Sequence, residues 1–395
     1  MTDPGRISLS PRIDTAGATA PVPPGAVVGV LGGGQLGRMF TLAARRLGYR
    51  VHVLTDVPDS PAGQVADVEI CAELQDPEAV AAFARDVRVV TIEWENIPAE
   101  AAEVAAQNVP VRPRPHVLRV CQNRIREKSF LRDAGVPTSR FVALRSETDL
   151  EAARGLVFPA VLKTSESGYD GKGQVLVREP GDLAAAWETL RRRESILEEF
   201  VDFERELSVI AARGLDGSFV AYAPFENTHR NHILDLTVSP AELAPPLAAR
   251  AVEIGLAVME GLDLVGVACV ELFLTRQGEV LANEIAPRPH NSGHVTIDAH
   301  LCSQFEQQVR AVCGLPLGST RPRTPAAMAN LLGELWSSGA PDWARVLALQ
   351  DVTLHLYGKT EARPGRKMGH LTALGADAAT ARERVLAARS LLEAS

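Results

Sequence analysis

The stretch VACVELFLTRQGEVLANEIAPRPHN, residues 267–291, decides how this chain is to be read. Two alternating apolar runs flank Gln277 and Gly278, a turn signal, so the segment is expected to fold as a β-hairpin. Folding about that turn pairs Glu271 with Glu284, or with Asn283 if the loop is one residue longer. Directly opposed like charges in a sheet repel. A divalent cation between them reverses the sign, and a hard ion such as Mg²⁺ is usually held by one or two carboxylates plus substrate phosphates. The hairpin therefore points to a metal site serving nucleotide chemistry.

At 395 residues the chain suits two or three domains. Hydrophobic residues make up 46% and charged residues 23%, a soluble globular composition. No apolar run approaches the roughly 18 residues of a membrane span, so no membrane partner is expected and a cytoplasmic enzyme is. The formal charge of −8 leaves no global basic field, which disfavours nucleic acid as a partner while leaving small anions open. The five cysteines lack C-x-x-C spacing and read as reduced core residues. Residues 1–24, rich in Pro, Ala, Gly and Ser and without the apolar core of a secretory signal, read as a flexible extension.

Beyond it, strand Ala26–Leu31, a glycine turn, a helical pattern through Leu47 and strand Arg50–Leu54 make a β-α-β start. Helix Pro77–Arg85 and strand Val87–Ile92 continue it, so residues 25–120 are expected to form a doubly wound parallel α/β domain. An amphipathic helix over Asn123–Ala134 opens a second domain, 121–317, of α+β character. A Pro- and Thr-rich linker then leads into a small β-rich unit, 318–395, with strands at Ala327–Leu332, Val352–Tyr357 and His370–Ala373.

Several clusters carry chemistry. GGGQLGRM, residues 32–39, fits G-x-G-x-x-G after a strand, with Asp56 near the end of the next; a dinucleotide site, a turn beside another ligand and simple close packing all remain open. VLKTSESGYDGKGQ, residues 161–174, sets Lys163 at a strand end before a glycine-rich loop able to fold over polyphosphate, with Lys172 adding charge; an exposed hairpin is the plain alternative. ILEEFV, residues 196–201, followed by RELSVI, residues 205–210, reads as strand, acidic break and strand, where main chain can read an adenine edge and Glu206 can accept from ribose hydroxyls. PRPHNSGH, residues 287–294, puts Arg288 and His290 beside the acidic hairpin, suited to a planar anion. YGKTEARPGRKMGH, residues 357–370, is the densest basic segment and reads as a phosphate clamp or a solvated basic turn.

Taken together, GGGQLGRM, GYDGKGQ, the Glu271 and Asn283-Glu284 pair, PRPHNSGH and RPGRKMGH closely resemble the N5-carboxyaminoimidazole ribonucleotide synthetases, over residues 26–375. The resemblance implies an ATP-grasp fold between the N-terminal α/β domain and the small C-terminal domain, and a homodimer. It also implies ATP-dependent carboxylation of 5-aminoimidazole ribonucleotide with bicarbonate, through carboxyphosphate, with ATP and Mg²⁺ bound. By position it implies Arg124 and Lys163 on the ATP phosphates and Gly168, Tyr169, Asp170, Gly171, Lys172, Gly173 and Gln174 as the loop over them. Glu198, Glu199, Phe200 and Val201 become the adenine hinge, Glu206 the ribose ligand, and His229 another nucleotide contact. Glu271 and Glu284, with Asn283 beside them, match the magnesium ligands, and Arg288, His290 and Asn291 the bicarbonate pocket. Lys359 and Arg366 match the clamp on the ribonucleotide 5′-phosphate, Asp170 meets the aminoimidazole and Glu95 its ribose. Two positions depart from the pattern: Ser167 and His232 stand where glycine is usual. Rival readings are a formate-using ligase, a dinucleotide-dependent oxidoreductase and a nucleotide sensor without turnover.

Overall fold

Three sheets organise the protein, whose computed structural model describes residues 20–166 and 173–393. The first is parallel, in the order Val68–Cys71, Arg50–Thr55, Val27–Leu31, Val89–Ile92. Its near-continuous apolar strands are buried on both faces, as a parallel sheet requires. Helix Pro77–Arg85 matches its expected span and is capped by Asp76, whose carboxylate accepts from the Glu78 and Ala79 N–H groups. The strand Val68–Cys71 was not anticipated: it is a four-residue edge strand with no buried position, too short to show a period. Residues 20–24, assigned above to the loose extension, are in fact anchored. Val22 N–H donates to Cys313 O at 2.8 Å, and the Tyr49 hydroxyl to Val22 O at 2.6 Å.

A smaller antiparallel sheet runs Phe141–Leu144, Ser195–Glu199, Ala160–Thr164, Gln174–Val177. The third, nine-stranded, runs Val280–Ala286, Gly266–Thr275, Phe203–Arg213, Phe225–Arg230, Ile233–Ser239, Ala326–Leu332, Lys367–Leu374, Val352–Leu356, with Phe219–Ala221 beside Phe203–Arg213. The strands past residue 318 therefore extend this sheet rather than building one of their own, joining it where Val238 pairs with Ala327. Helix Pro245–Gly261 covers one face, burying Ile254, Val258 and Met259 against Val209 and Val270. Helix Gln304–Cys313 is buried along almost its whole length because it is shared: Phe305, Val309 and Val312 pack on Val28 and Val30 of the parallel sheet. Gln308 spans the junction, accepting from Val267 N–H at 2.6 Å and donating to Thr91 Oγ1 at 2.9 Å.

Candidate active site

The acidic break at Glu199–Phe203 is a crossing between sheets. Ser195–Glu199 belongs to the small sheet and Phe203–Arg213 to the large one, so the segment between them links the two sheets. Phe200 is half exposed there, its N–H donating to Pro159 O at 3.1 Å. Val201 O accepts from Phe203 N–H. Glu199 turns aside, accepting from Val157 N–H at 2.9 Å and pairing with Arg140.

On the large sheet Glu271 stands opposite Glu284. Near the turn, Leu272 pairs with Ala282 and Leu274 with Val280, a register that would carry Asn283 to Glu271. A bulge at Asn283 shifts it by one residue and brings Glu284 into place instead. Of the two pairings raised above, Glu271 with Glu284 is the one formed, and the other register is confined to the residues nearer the turn. Ser208 is the partner of Glu271 on the next strand, and Glu206, two residues away on the same face, is bonded to His229 Nδ1 at 2.9 Å.

Each carboxylate has a cationic or donor neighbour. Glu271 Oε1 lies 3.0 Å from His290 Nε2, and Glu284 Oε2 lies 3.3 Å from Arg124 Nη1. Burial alone would raise the Glu271 carboxyl; its bond to His290, with charge from His229 and Lys367, outweighs this and holds it well below the usual range. Among the described residues no three His, Cys, Asp or Glu side chains form a closed metal cage. Two hard oxygen donors on one open face do fit an ion whose remaining ligands are phosphates and water.

On the small sheet, Lys163 Nζ donates to Glu198 Oε1 at 3.0 Å. Glu198 Oε2 lies 3.3 Å from the buried Lys128, whose ammonium also meets Thr138 Oγ1, Ser139 Oγ and Ala282 O at 2.8, 3.4 and 3.3 Å. Against the cost of its burial, these two lysines hold the Glu198 carboxyl far below its ordinary range. So the Glu198 side chain anchors Lys163 rather than facing the hinge. The adjacent Glu127 accepts from Ile285 N–H at 2.6 Å; burial and the charge of Glu284 push its carboxyl up. Helix Arg124–Asp133, capped by the Asn123 side chain, thereby grips both sides of the bulge. Sequence reading missed Glu127 and Lys128 because adjacent charges on a helix normally mean a solvated face.

Gly173 and Gln174 begin the returning strand, Gly173 with φ +73° and its O accepting from Thr164 N–H. Gly168, Tyr169, Asp170, Gly171 and Lys172, with Ser167, lie outside the described residues. Arg288 is bonded to Glu95, which joins two residues expected to serve different substrates. Asn291 is buried and forms a reciprocal amide pair with Asn330, at 3.1 and 2.7 Å, so its amide is held by the C-terminal unit.

Lys359 and Arg366 converge on the loop before strand Lys367–Leu374, with Lys359 Nζ donating to Lys367 O at 2.7 Å and Arg366 Nη1 to Glu361 O at 2.7 Å. Burial and the neighbouring Arg366 and Lys367 charges pull the Lys359 ammonium down to about 8, against the pull of Glu93. The parallel domain reaches this loop directly: Gln64 Nε2 donates to Gly358 O at 3.0 Å, and Arg38 to Gln64 Oε1.

The glycine turn at residues 32–37 has an occupant. Glu93 accepts from Gly37 N–H, and a Cβ on Gly34 would fall 2.4 Å from Glu93 Oε1. A carboxylate from the neighbouring strand end thus fills the place where a dinucleotide pyrophosphate would approach the helix, and the dinucleotide alternative falls. The glycines serve close approach. A cavity of about 390 Å³ among the described residues is lined by Arg389 and Asp235, which pair at 2.5 Å, and lies apart from the residues above.

Comparison with known proteins decides the family. Residues 26–122 match the ribonucleotide synthetase preATP-grasp domain, 129–305 the ATP-grasp domain, and 326–384 the phosphoribosylaminoimidazole carboxylase C-terminal domain. The chain is 44% identical over 368 residues to the N5-carboxyaminoimidazole ribonucleotide synthase of Pseudomonas aeruginosa, covering 93% of this chain and 99% of that one. The chain belongs to the N5-carboxyaminoimidazole ribonucleotide synthase family. The Bacillus subtilis synthase is 42% identical over 350 residues, 88% of this chain and 91% of its own. The chain spans only 37% of the bifunctional purine synthesis protein purC/E of Dictyostelium discoideum, at 42% identity over 374 residues. Among solved structures, the ADP complex of an N5-carboxyaminoimidazole ribonucleotide synthetase superposes with a TM-score of 0.89 at 39% identity, covering 95% of this chain and 99% of that one. The Aspergillus clavatus synthase in complex with ADP and 5-aminoimidazole ribonucleotide does so with 0.84 at 32%, covering 94% and 99%. The family consists of ATP-grasp ligases of purine biosynthesis. Among the described residues no helix is long and apolar enough to cross a membrane.

Proposed function

We propose that the chain carboxylates 5-aminoimidazole ribonucleotide with bicarbonate, driven by ATP cleavage, and that the cleft between the small and large sheets is where it does so. The observation that carries this is the opposed pair Glu271 and Glu284 on the large sheet, bridged through Arg124 and Lys128 of one helix to the Glu198-anchored Lys163 on the small sheet. A bicarbonate oxygen attacks the γ-phosphorus and the bond to ADP breaks, giving carboxyphosphate. The exocyclic amine then attacks the carboxyl carbon, loses one proton and expels phosphate, which keeps the bicarbonate oxygen. Positioning and charge neutralisation are the protein's contribution.

The residue roles we infer come from the family resemblance, and the contacts above support them. Lys163 and Arg124 hold the ATP phosphates, to which the resemblance also assigns residues 168–174; the 198–201 crossing holds adenine, and Glu206 with His229 the ribose. Glu271 and Glu284, with Asn283 at the bulge, would hold Mg²⁺, which supplies charge neutralisation at the phosphates. Arg288, His290 and Asn291 bound the bicarbonate pocket, with Glu95 turning Arg288 toward the ribonucleotide. Lys359 and Arg366 clamp its 5′-phosphate, and Asp170 meets the aminoimidazole. The units 25–120, 121–317 and 318–395 contribute the ribonucleotide floor, the nucleotide cleft and the clamp. We assign the protein to the cytosol as a homodimer, a state light scattering on the purified protein checks.

Oxygen labelling tests the chemistry. With ¹⁸O-bicarbonate one label per turnover should appear in the released phosphate. Unlabelled phosphate, or ADP formation supported by formate, contradicts the assignment.

A further inference from the structure

A buried row of hydroxyls and one amide crosses the central sheet and ends at His290. Thr237 Oγ1 donates to Asn227 Oδ1 at 2.9 Å, Asn227 Nδ2 to Ser208 Oγ at 2.9 Å, and Ser208 Oγ to Ser292 Oγ at 2.8 Å. Ser292 Oγ lies 2.9 Å from His290 Nδ1. Thr237, Ser208 and Ser292 are wholly buried and Asn227 nearly so. Burying four polar side chains is unfavourable unless each is bonded, and here each is.

The row directs the Ser292 hydroxyl at His290 Nδ1, and two further contacts agree on where the imidazole carries its hydrogen. The Ser292 backbone N–H, a donor in every rotamer, lies 3.3 Å from His290 Nδ1, so Nδ1 accepts. Glu271, which offers only acceptors when ionised, faces Nε2 at 3.0 Å, so Nε2 donates. A doubly protonated ring would set two hydrogens against each other at Nδ1.

We propose that Ser292 and Ser208, backed by Asn227 and Thr237, are positioning residues that lock His290 as the neutral Nε2–H tautomer, making it a hydrogen-bond donor and not a base. This deepens the assignment above and rests on it for the co-substrate: a ring donating from Nε2 orients Glu271 and can satisfy an oxygen of the planar anion beside Arg288. Sequence offered one clue, since Ser208 follows Glu206 by two residues and so shares its face of the strand.

The test is ¹⁵N-histidine spectroscopy of the ligand-free, full-length protein, with His290→Gln identifying the signal, beside steady-state kinetics. The wild type should show the Nε2–H pattern at His290. Ser208→Ala should mix the two tautomers and raise the bicarbonate KM about tenfold, with the ATP KM within about twofold. An Nδ1–H pattern in the wild type overturns the proposal whether or not any variant folds, and so does an unchanged spectrum in Ser208→Ala. A changed spectrum with an unmoved bicarbonate KM supports the lock and overturns instead the placing of bicarbonate at His290.

Discussion

Lys128 shows how much a single residue carries here. Its ammonium, fully buried, joins the helix that bears Arg124 to Glu198 on the small sheet and to Ala282 beside the bulge. Lys128→Met leaves the Glu198 charge buried with one lysine fewer and should cost about 3–5 kcal/mol, read by denaturant unfolding. A loss under about 1 kcal/mol would mean the Lys128–Glu198 pair is not what holds Lys163. Lys359 gives a different kind of prediction. Its ammonium titrates near 8 in the free protein, so the charged form needed at a phosphate is complete below that value and lost as pH rises through it. Accordingly kcat/KM for the ribonucleotide should fall above about pH 8, while Lys359→Arg should stay flat to pH 9. A wild-type profile level to pH 9 would remove Lys359 from the clamp. Lys359 was legible in the sequence as part of a basic, glycine-bearing segment; Lys128 was not, because only its tertiary partners distinguish a buried helix lysine from a solvated one.

At the scale of elements, the hairpin Phe225–Arg230 and Ile233–Ser239 turns through two residues, Asn231 at φ +50° and His232 at φ +64°. That turn needs left-handed backbone at both positions, and Asn-Gly meets the need best. A side chain at His232 is therefore strained, which explains why the position usually carries glycine in this family's pattern. His232→Gly should stabilise by about 1 kcal/mol, visible as a higher melting temperature; a lower one would mean the imidazole makes a compensating contact. The β-α-β start, the acidic hairpin and the strands at Ala327–Leu332 and Val352–Tyr357 were readable from periodicity and turn residues, whereas Val68–Cys71 was not. The bulge at Asn283 was not, since both registers satisfy the same apolar alternation and the choice lies in what Glu127 and Lys128 grip from outside the hairpin. Nor was the sharing of one sheet by the central and C-terminal units, because strand partners distant in sequence leave no local signal.

Across the whole molecule, three histidines are buried where the units meet. His294 Nε2, His370 Nε2 and His300 Nδ1 have no hydrogen-bond partner among the described residues, and burial lowers all three imidazoles, His300 to about 4. Their folded pKa lies below the unfolded value near 6.5, so between the two the unfolded chain binds more protons. The stability they allow is complete above about pH 6.5 and lost as pH falls, by up to about 1.4 kcal/mol per pH unit for each group. Melting temperature should drop steadily from pH 7 to pH 5, and a level profile would contradict the burial of these rings. The proposed site draws on all three stretches of the chain: Glu95 bonded to Arg288, the carboxylate pair with Lys163, and Lys359 with Arg366. Such a site should release ADP only when every substrate is seated. The direct measurement is ADP release with ATP, bicarbonate and 5-aminoimidazole ribonucleotide supplied together and then with bicarbonate or the ribonucleotide withheld. The account predicts that withholding either one abolishes most of the turnover; undiminished ADP release without bicarbonate would contradict it.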